Sequence, residues 1–175
     1  METVIIYGSE YGTSEKYAKR LGEMTNTEVK NYKDVKDLVG YQKVIYFGGL
    51  YAGNVKGLRE TANKIPTDAE VMVVTVGLAD PDEKSNADHI VKNIGKQLPP
   101  VFFNHAEFYH LRGAIDYKKL SAKHRIMMKM LCCMLKLKAK RKQTDDDRLM
   151  ISTYGDKVDF TDFNALEKIV ESIEK

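Results

Sequence analysis

Short runs of apolar, β-branched residues alternate with helical patterns along the chain, and this alternation limits the possible fold more than any other feature. The strand-like runs lie at residues 4–7, 27–32, 44–47, 71–76 and 107–115. Apolar residues at helical spacing predict helices over 14–24, 55–65, 82–98 and 162–173. Strands that alternate with helices form a parallel sheet with helices on both faces. We therefore predict an α/β, three-layer fold with five parallel strands.

Bulk composition favours one globular domain that spans residues 1–175. The chain is 43% hydrophobic and 30% charged, which is ordinary for a folded protein and excludes disordered and fibrous classes. Residues 1–7 carry an acid and only a short apolar run, so we expect no secretory signal, and the nearly apolar stretch 126–137 is too short to span a bilayer. Cys132 and Cys133 are adjacent, and a disulfide between neighbours is strained. We expect reduced thiols and a cytoplasmic location.

The segment after the first strand has the composition of a phosphate-binding loop. It consists of Ser9, Glu10, Tyr11, Gly12, Thr13 and Ser14. Three hydroxyl groups can donate hydrogen bonds, and the glycine allows a tight turn close to an anion. The free N–H groups at the start of the following helix, with the helix dipole, favour the same ligand.

Helix capping and two kinds of nucleotide-binding loop are the alternative interpretations of this segment. Thr13 or Ser14 could merely cap the helix, but a cap explains one hydroxyl and not three. The loop lacks the lysine of a nucleoside-triphosphate loop, and the dinucleotide glycine fingerprint is absent. Neutral donors favour a phosphate monoester.

A basic insert, defined as residues 117–148, lies between the fifth strand and the last helix. Residues 118–142 contain ten of the 28 bases and no acid, which leaves 18 bases against all 25 acids, a net of −7, for the rest of the chain. A helix is predicted over 121–142, with Arg125, Lys129, Lys136 and Lys140 on one face. Four of the eight methionines lie within this span.

The role of this insert has several candidate explanations. The helix could pack on the domain with its lysines solvated. A basic amphipathic helix also suits an anionic membrane surface, with residues 118–142 as a peripheral contact at the inner face of the membrane. Methionine-rich apolar surface suits a quinone or a redox partner protein. No aromatic residues are interleaved with the charges, so we expect no nucleic acid.

The loop Ser9-x-x-Gly12-x-Ser14 after a strand resembles the FMN-phosphate signature of flavodoxins. The resemblance implies a flavodoxin-like fold, strand order 2-1-3-4-5 and FMN as cofactor. It also implies that the flavin ring lies between the loops after the third and fourth strands. The residues concerned are Gly49, Leu50, Tyr51, Ala52, Gly53 and Asn54 in the first loop and Gly77, Leu78 and Ala79 in the second. Flavodoxins commonly carry an aromatic residue in the second loop, and this chain has none, so a more open ring that a substrate can reach is expected.

With its insert the chain is similar to the flavodoxin-like, menaquinone-dependent protoporphyrinogen oxidases. The matching segments are residues 111–117, 125–129 and 156–163. This resemblance implies an FMN-dependent oxidoreductase that oxidises a hydrophobic substrate such as protoporphyrinogen with a quinone as acceptor. The alternatives are a non-enzymatic electron shuttle that docks a partner through the insert, and a scaffold without flavin. The four histidines lack metal-ligand spacing, no metal site is expected, and no catalytic residue can be assigned.

Overall fold

The computed structural model describes residues 2–51 and 53–173, which alternate between strands and helices along most of their length. The strands are β1 (Thr3–Gly8), β2 (Glu28–Asn31), β3 (Lys43–Tyr51), β4 (Asn54–Val55), β5 (Glu70–Gly77), β6 (Glu107–Arg112), β7 (Ala114–Asp116) and β8 (Lys157–Asp159). The helices are α1 (Thr13–Thr25), α2 (Leu58–Ala62), α3 (Lys84–Ile94), α4 (Pro100–Phe103), α5 (Ala122–Leu137), α6 (Asp145–Ser152) and α7 (Glu167–Ile173). Three 3₁₀ turns lie at Tyr117–Lys119, Lys140–Lys142 and Phe163–Leu166.

The main sheet has the parallel order β2-β1-β3-β5-β6. The short β4 pairs antiparallel with the end of β3 and lies off this path. The fourth and fifth parallel strands along the chain are therefore β5 and β6, and the predicted order 2-1-3-4-5 is confirmed. In this register Gly8 of β1 lies opposite Gly48 of β3, and Gly48 opposite Thr75 of β5, so the carboxyl ends of the central strands meet at one edge.

Apolar side chains cover both faces of the sheet, which confirms the three-layer arrangement. Val4 and Ile6 of β1 contribute to one core and Ile5 to the other, because successive side chains of a strand alternate in direction. Ile94 of α3 belongs to the first core, and Tyr17 of α1 to the second. Ile5, Ile45 and Val73 on the central strands are fully buried, as expected for strands covered by helices.

The predicted helix over 55–65 is wrong at its start, and the third strand is longer than predicted. β3 continues through Leu50 to Tyr51 because these residues pair with Val55 and Asn54 in a tight hairpin. Val55 is therefore strand, and Gly57, with φ of 76°, precedes a helix of only five residues. The helix predicted over 82–98 is also shorter and ends at Ile94.

The fifth predicted strand, 107–115, divides into two strands that belong to different sheets. The division lies at Gly113, whose N–H donates to the Gly77 carbonyl at 2.7 Å and whose carbonyl accepts from Phe160 at 3.1 Å. Beyond it, β7 pairs antiparallel with β8. This two-stranded ribbon joins the two ends of the segment 117–156 and forms a neck between that segment and the sheet.

The basic helix is shorter than predicted. It begins after Ser121, whose hydroxyl accepts from the N–H of His124, and it ends at Leu137 instead of residue 142. The side chain of Gln143 donates to the carbonyls of Leu135 and Lys138, which satisfies the end of the helix. Lys140 consequently lies in a 3₁₀ turn and not on a face of α5. Within residues 2–51 and 53–173, the helices lack the combination of length and apolar character needed to cross a bilayer.

Candidate functional site

The loop after β1 presents an open helix terminus. Gly12 is the N-cap residue of α1, with φ of 91°, and it supplies no side chain to bond the helix amides. Its own N–H donates to the Ser9 hydroxyl at 2.9 Å, which fixes the turn. Thr13 and Ser14 are the first two helical residues, so neither is the cap. The first-turn amides of α1 have no intrahelical acceptor and remain available to a ligand.

A cleft extends from this helix terminus along the carboxyl ends of β3, β5 and β6. It encloses about 560 Å³ of empty space, part of which is open to solvent. The residues that line it are Tyr11, Thr13, Ser14, Gly49, Leu50, Tyr51, Val76, Gly77, Leu78, Gly113, Ala114, Ile115, Leu120, His124, Met127 and Met128. Tyr11, Thr13 and Ser14 of the loop thus lie at one end, and apolar residues form most of the rest. Ser9, Glu10 and Gly12 are not among the lining residues. Ser14 is nearly fully buried and still reaches the cleft wall.

Glycines at the strand ends allow neighbouring side chains to fold over the cleft floor. A Cβ atom at Gly49 would lie 2.8 Å from the ring of Tyr51, and one at Gly77 would lie 2.9 Å from Leu50 Cδ1. Both distances are below van der Waals contact, so a larger residue would displace these side chains. Gly49 and Gly77 therefore set the width of the cleft at this point.

Three rings, Tyr11, Tyr51 and His124, form a ring cluster at the mouth of the cleft. The His124 ring stacks on Tyr51, and Tyr11 meets both rings edge-on. The Tyr11 hydroxyl lies 2.6 Å from Nδ1 of His124 and accepts from the Ser121 N–H at 3.2 Å. Burial raises the pKa of the Tyr51 phenol, and its oxygen accepts the Glu10 N–H at 3.2 Å. The cluster therefore joins the loop after β1, the end of β3 and the start of α5.

Glu10 turns away from the cleft. Its carboxylate pairs with Lys56 Nζ at 2.8 Å, and the hydrogen bond from Lys56 lowers the pKa of Glu10. Its N–H donates to the hydroxyl oxygen of Tyr51. The ion pair also neutralises an acid beside a loop proposed to hold an anion. The turn after β4 brings Lys56 to this place, and the loop sequence itself gives no sign of it.

The structure brings only part of the two predicted ring loops to the cleft. Gly49, Leu50, Tyr51, Gly77 and Leu78 line it. Asn54 pairs with Tyr51 in the hairpin, and a Cβ atom at Gly53 would meet Asn93, so both lie on the side of α3. Ala79 is not among the lining residues, and Ala52 lies outside the described residues.

Sequence reasoning missed two walls of the cleft. One is the bend at 113–115, where the chain leaves β6 for β7. The other is the basic insert, which contributes Leu120, His124, Met127 and Met128. The second loop has no aromatic side chain, and Met127 and Met128 of α5 line the same cleft as Leu78 of that loop. The sequence signal that could have revealed this wall is an amphipathic helix in a chain whose second ring loop has no aromatic residue.

Arg112 fixes the second loop and the far end of the insert. Its guanidinium donates two hydrogen bonds to the Leu78 carbonyl, at 2.9 and 3.2 Å, and one to the buried Asp146 at 3.3 Å. The same guanidinium lies 4.0 Å from the centre of the Phe160 ring. Asp146 in turn accepts from the N–H of Asp80. Asp146 is therefore buried in the first turn of α6 by its contacts with Arg112 and Asp80.

The chemistry of the cleft follows from the side chains around it. Among the residues that the structure describes, no cluster of three or more His, Cys, Asp or Glu side chains is arranged to hold a metal ion. The two thiols are free, with Cys132 buried and Cys133 exposed. The cleft offers hydrogen-bond donors for an anion at one end and an apolar slot at the other, which suits a ligand with the same polarity.

Comparison with known proteins identifies related sequences and folds. Residues 4–144 match the flavodoxin domain family. No curated protein sequence matches the chain. A flavoprotein from Lactobacillus acidophilus NCFM, solved in complex with FMN, is 14% identical, with 63% of this chain and 91% of that chain covered and a TM-score of 0.44.

Two further solved structures share the same general similarity. Oxidised Flavodoxin 2 from Bacillus cereus is 10% identical, with 97% of this chain and 99% of that chain covered and a TM-score of 0.45. A flavodoxin mutant from Fusobacterium nucleatum, bound to flavin mononucleotide, is 15% identical, with 68% and 72% covered and a TM-score of 0.39.

Proposed function

Because the chain belongs to the flavodoxin domain family, we propose that it binds FMN non-covalently in the cleft and acts in electron transfer. The observation that carries this proposal is the terminus of α1, which starts at a left-handed glycine with no side-chain cap. Three hydroxyls surround this terminus, and it opens into the cleft. The structures of FMN complexes noted above belong to other members of the fold and agree with this choice of ligand.

The phosphate end fits a monoester dianion. Free amides of the first turn and the dipole of α1 favour negative charge. Ser9, Thr13 and Ser14 would add neutral donors. Lys56 neutralises Glu10, which would otherwise repel the ligand at short range. We assign the phosphate to this end of the cleft.

The apolar end fits the flavin ring. Gly49, Gly77 and Gly113 line the cleft at the strand tips. The side chains of Tyr51 and Leu50, which fold over Gly49 and Gly77, would lie against the ring. Leu78 lies on the second loop, and Met127 and Met128 of α5 form the facing wall. These residues would orient the ring and exclude water from it.

Flavin supplies the capacity to accept and return electrons, and the protein supplies binding and access. The Arg112 hydrogen bonds hold the Leu78 carbonyl, and with it the second loop, in a fixed position. The ring cluster holds α5 against the mouth of the cleft. The arrangement thus needs no nucleophile or metal from the protein.

We further propose that the electron partner is a hydrophobic reactant, which favours an oxidoreductase over an electron shuttle. The supporting observation is that α5 lines the cleft with Met127 and Met128 besides His124, while its lysines and its arginine lie outside the lining. Oxidation of a substrate such as protoporphyrinogen with a quinone acceptor is the specific form of this hypothesis. A shuttle that docks its partner through the insert is the second candidate.

The absorption spectrum of the purified protein tests flavin binding. We expect a yellow protein that releases FMN on denaturation and takes it up again after removal. Ser9→Ala together with Ser14→Ala should raise the Kd for FMN about tenfold or more, since two donors to a charged group are lost. Ser152→Ala is the control, because Ser152 is exposed on α6 and donates only to the Leu149 carbonyl. A colourless protein that ignores added FMN would refute the assignment.

A second experiment separates the two candidate functions. The FMN-loaded protein is reduced and mixed with a water-soluble menaquinone analogue or with an acidic electron-carrier protein. Rapid reoxidation by the quinone, with a lower rate after Met127→Lys, supports the oxidoreductase. Reoxidation by the carrier alone, lost at high ionic strength, supports the shuttle.

A further inference from the structure

Four large apolar side chains of α5 stand exposed on one side of the helix. We call this set the apolar face: Ile126, Met130, Met134 and Leu137, which are 62%, 62%, 64% and 86% exposed. They recur at spacings of three and four residues, so they share one side of the helix. Elsewhere among the described residues, large apolar side chains with comparable exposure, such as Val39 and Val101, are far apart in the sequence. A continuous exposed apolar strip marks an interaction surface.

A basic row borders the apolar face. It consists of Arg125, Lys129 and Lys136, all exposed and all on the adjoining side of α5. The wider segment 118–142 carries ten bases and no acid, while the rest of the chain has a net charge of −7. Attraction to a negative surface would therefore act on the insert alone, and the acidic remainder would turn away from that surface.

The apolar face reaches the mouth of the cleft. Met127 lines the cleft and also lines a shallow groove on α5 together with Ile126 and Met130. Anything that covers the apolar face therefore lies directly beside the mouth. The groove is almost entirely apolar, and Lys123 at its edge adds a further base.

We propose that α5 docks this protein onto the surface of an anionic phospholipid bilayer, with the apolar face inserted at the headgroup level. Charge complementarity carries the choice of occupant, since bases next to inserted apolar side chains match anionic headgroups over acyl chains. The long side chains of the basic row can extend to phosphates while their methylene groups remain in the apolar layer. The mouth of the cleft then faces the membrane.

A second copy of the chain fits this surface less well. Two α5 helices packed face to face would bring their basic rows together without an acid between them. The acidic remainder of the chain offers charge but no matching apolar strip among the described residues. A lipid surface offers both a negative charge for the basic row and an apolar layer for the apolar face. This docking does not depend on the proposed flavin.

Co-sedimentation of the protein with vesicles tests the proposal. Phosphatidylcholine vesicles with and without phosphatidylglycerol are the probes, at low and high salt. We expect binding only to the anionic vesicles, weaker at high salt. Ile126→Ser with Met130→Ser should reduce the partition coefficient at least about tenfold. Each basic-row residue changed to Gln should reduce it about fivefold.

Matched variants control for charge and surface hydrophobicity. Lys33→Gln, Lys36→Gln and Lys92→Gln remove the same charge from exposed positions of the body. Val39→Ser and Val101→Ser remove exposed apolar side chains outside α5. Both control sets should leave vesicle binding unchanged, and unchanged circular dichroism verifies that each variant is folded.

Three outcomes would overturn the proposal. One is equal sedimentation with neutral and anionic vesicles, or none with either. Another is binding that survives loss of Ile126 and Met130 but not of the bases, which describes a purely electrostatic contact such as one with an acidic protein. The third is a dimer in lipid-free solution that dissociates after Met130→Ser, which assigns the apolar face to self-association.

Discussion

The imidazole of His124 stacks on the phenol ring of Tyr51, with ring centroids 5.2 Å apart and planes 15° from parallel. Tyr51 is the last residue of β3, and His124 is in the first turn of α5, so the stack joins the sheet to the basic insert. Both residues line the cleft. The position of the cleft wall therefore depends on this pair.

Loss of the stack should weaken FMN binding. In His124→Ala the stack and the contact with Tyr11 are both removed, and the Kd for FMN should rise about tenfold, since an aromatic pair and a hydrogen bond each contribute about 1 kcal/mol. Fluorescence titration of the protein stripped of FMN measures the change. His124→Phe keeps the stack but loses the contact with the Tyr11 hydroxyl. Its Kd for FMN should lie between those of the unchanged protein and of His124→Ala. Lys123→Ala, at the neighbouring exposed position, is the control, and an equal loss in it would contradict the role given to His124.

Replacement of Gly12 should weaken FMN binding through the backbone alone. A Cβ atom at Gly12 meets nothing within 4 Å, but the φ of 91° strains a β-branched residue. Gly12→Val should therefore cost about 1–2 kcal/mol of stability and reduce FMN affinity. Gly155→Val is a close match, because Gly155 has φ of 97° and equally open surroundings. It should show the same loss of stability with unchanged FMN affinity, and parallel affinity losses in both variants would argue against the loop.

Removal of Arg112 should be among the most destabilising single changes. Asp146 is 7% exposed, and Arg112→Met leaves its carboxylate buried without a cation. We expect a loss of about 3–5 kcal/mol in the free energy of unfolding, measured by urea denaturation. The double variant with Asp146→Asn should recover part of this loss, because the unpaired charge is gone. Additive losses in the double variant would show that the ion pair is unimportant.

Asp147 should give the insert an acid-sensitive contribution to stability. Burial alone would raise the pKa of Asp147, but the hydrogen bonds from Lys138 and Thr144 outweigh it and lower the pKa below the ordinary 3.8. The folded state thus binds the proton less tightly than the unfolded state. The contribution is fully present above pH 3.8 and is lost as the pH falls through the lower, folded-state pKa.

Asp147→Asn tests this linkage. At neutral pH the variant should be less stable by about 0.5–1 kcal/mol, since Lys138 is partly exposed and screening reduces the ion pair. The difference from the unchanged protein should shrink below pH 3.8. Thermal unfolding monitored at a series of pH values measures both. A difference that grows with acidity would reverse the sign of the linkage.

The features predictable from the sequence are the local ones. Buried strands such as residues 71–76 are recognisable because apolar runs are bounded by glycine, and α1 because its apolar side repeats at helical spacing. Gly12, which lies among hydroxyl-bearing residues directly before α1, is a local signal for the start of that helix. The strand order, in contrast, is implied only by the resemblance to flavodoxins, since the chain alone does not fix which strands are neighbours.

The features that sequence reasoning missed depend on contacts between distant residues. β7 and β8 have three residues each and pair across about forty positions, with Ile115 opposite Val158. Such short runs carry no period of their own. The covering of the cleft by α5 likewise depends on Tyr51 and His124 meeting in space, and the burial of Asp146 depends on Arg112.

The ribbon of β7 and β8 has a consequence for how this protein could vary. Ala114 and Asp159 face each other across it, so the chain departs from the body and rejoins it at one spot. Residues inserted, lost or exchanged beyond that spot alter the outer wall without shifting the register of any parallel strand. The same sheet and helices can therefore serve a different reaction partner when only the segment 117–156 is replaced.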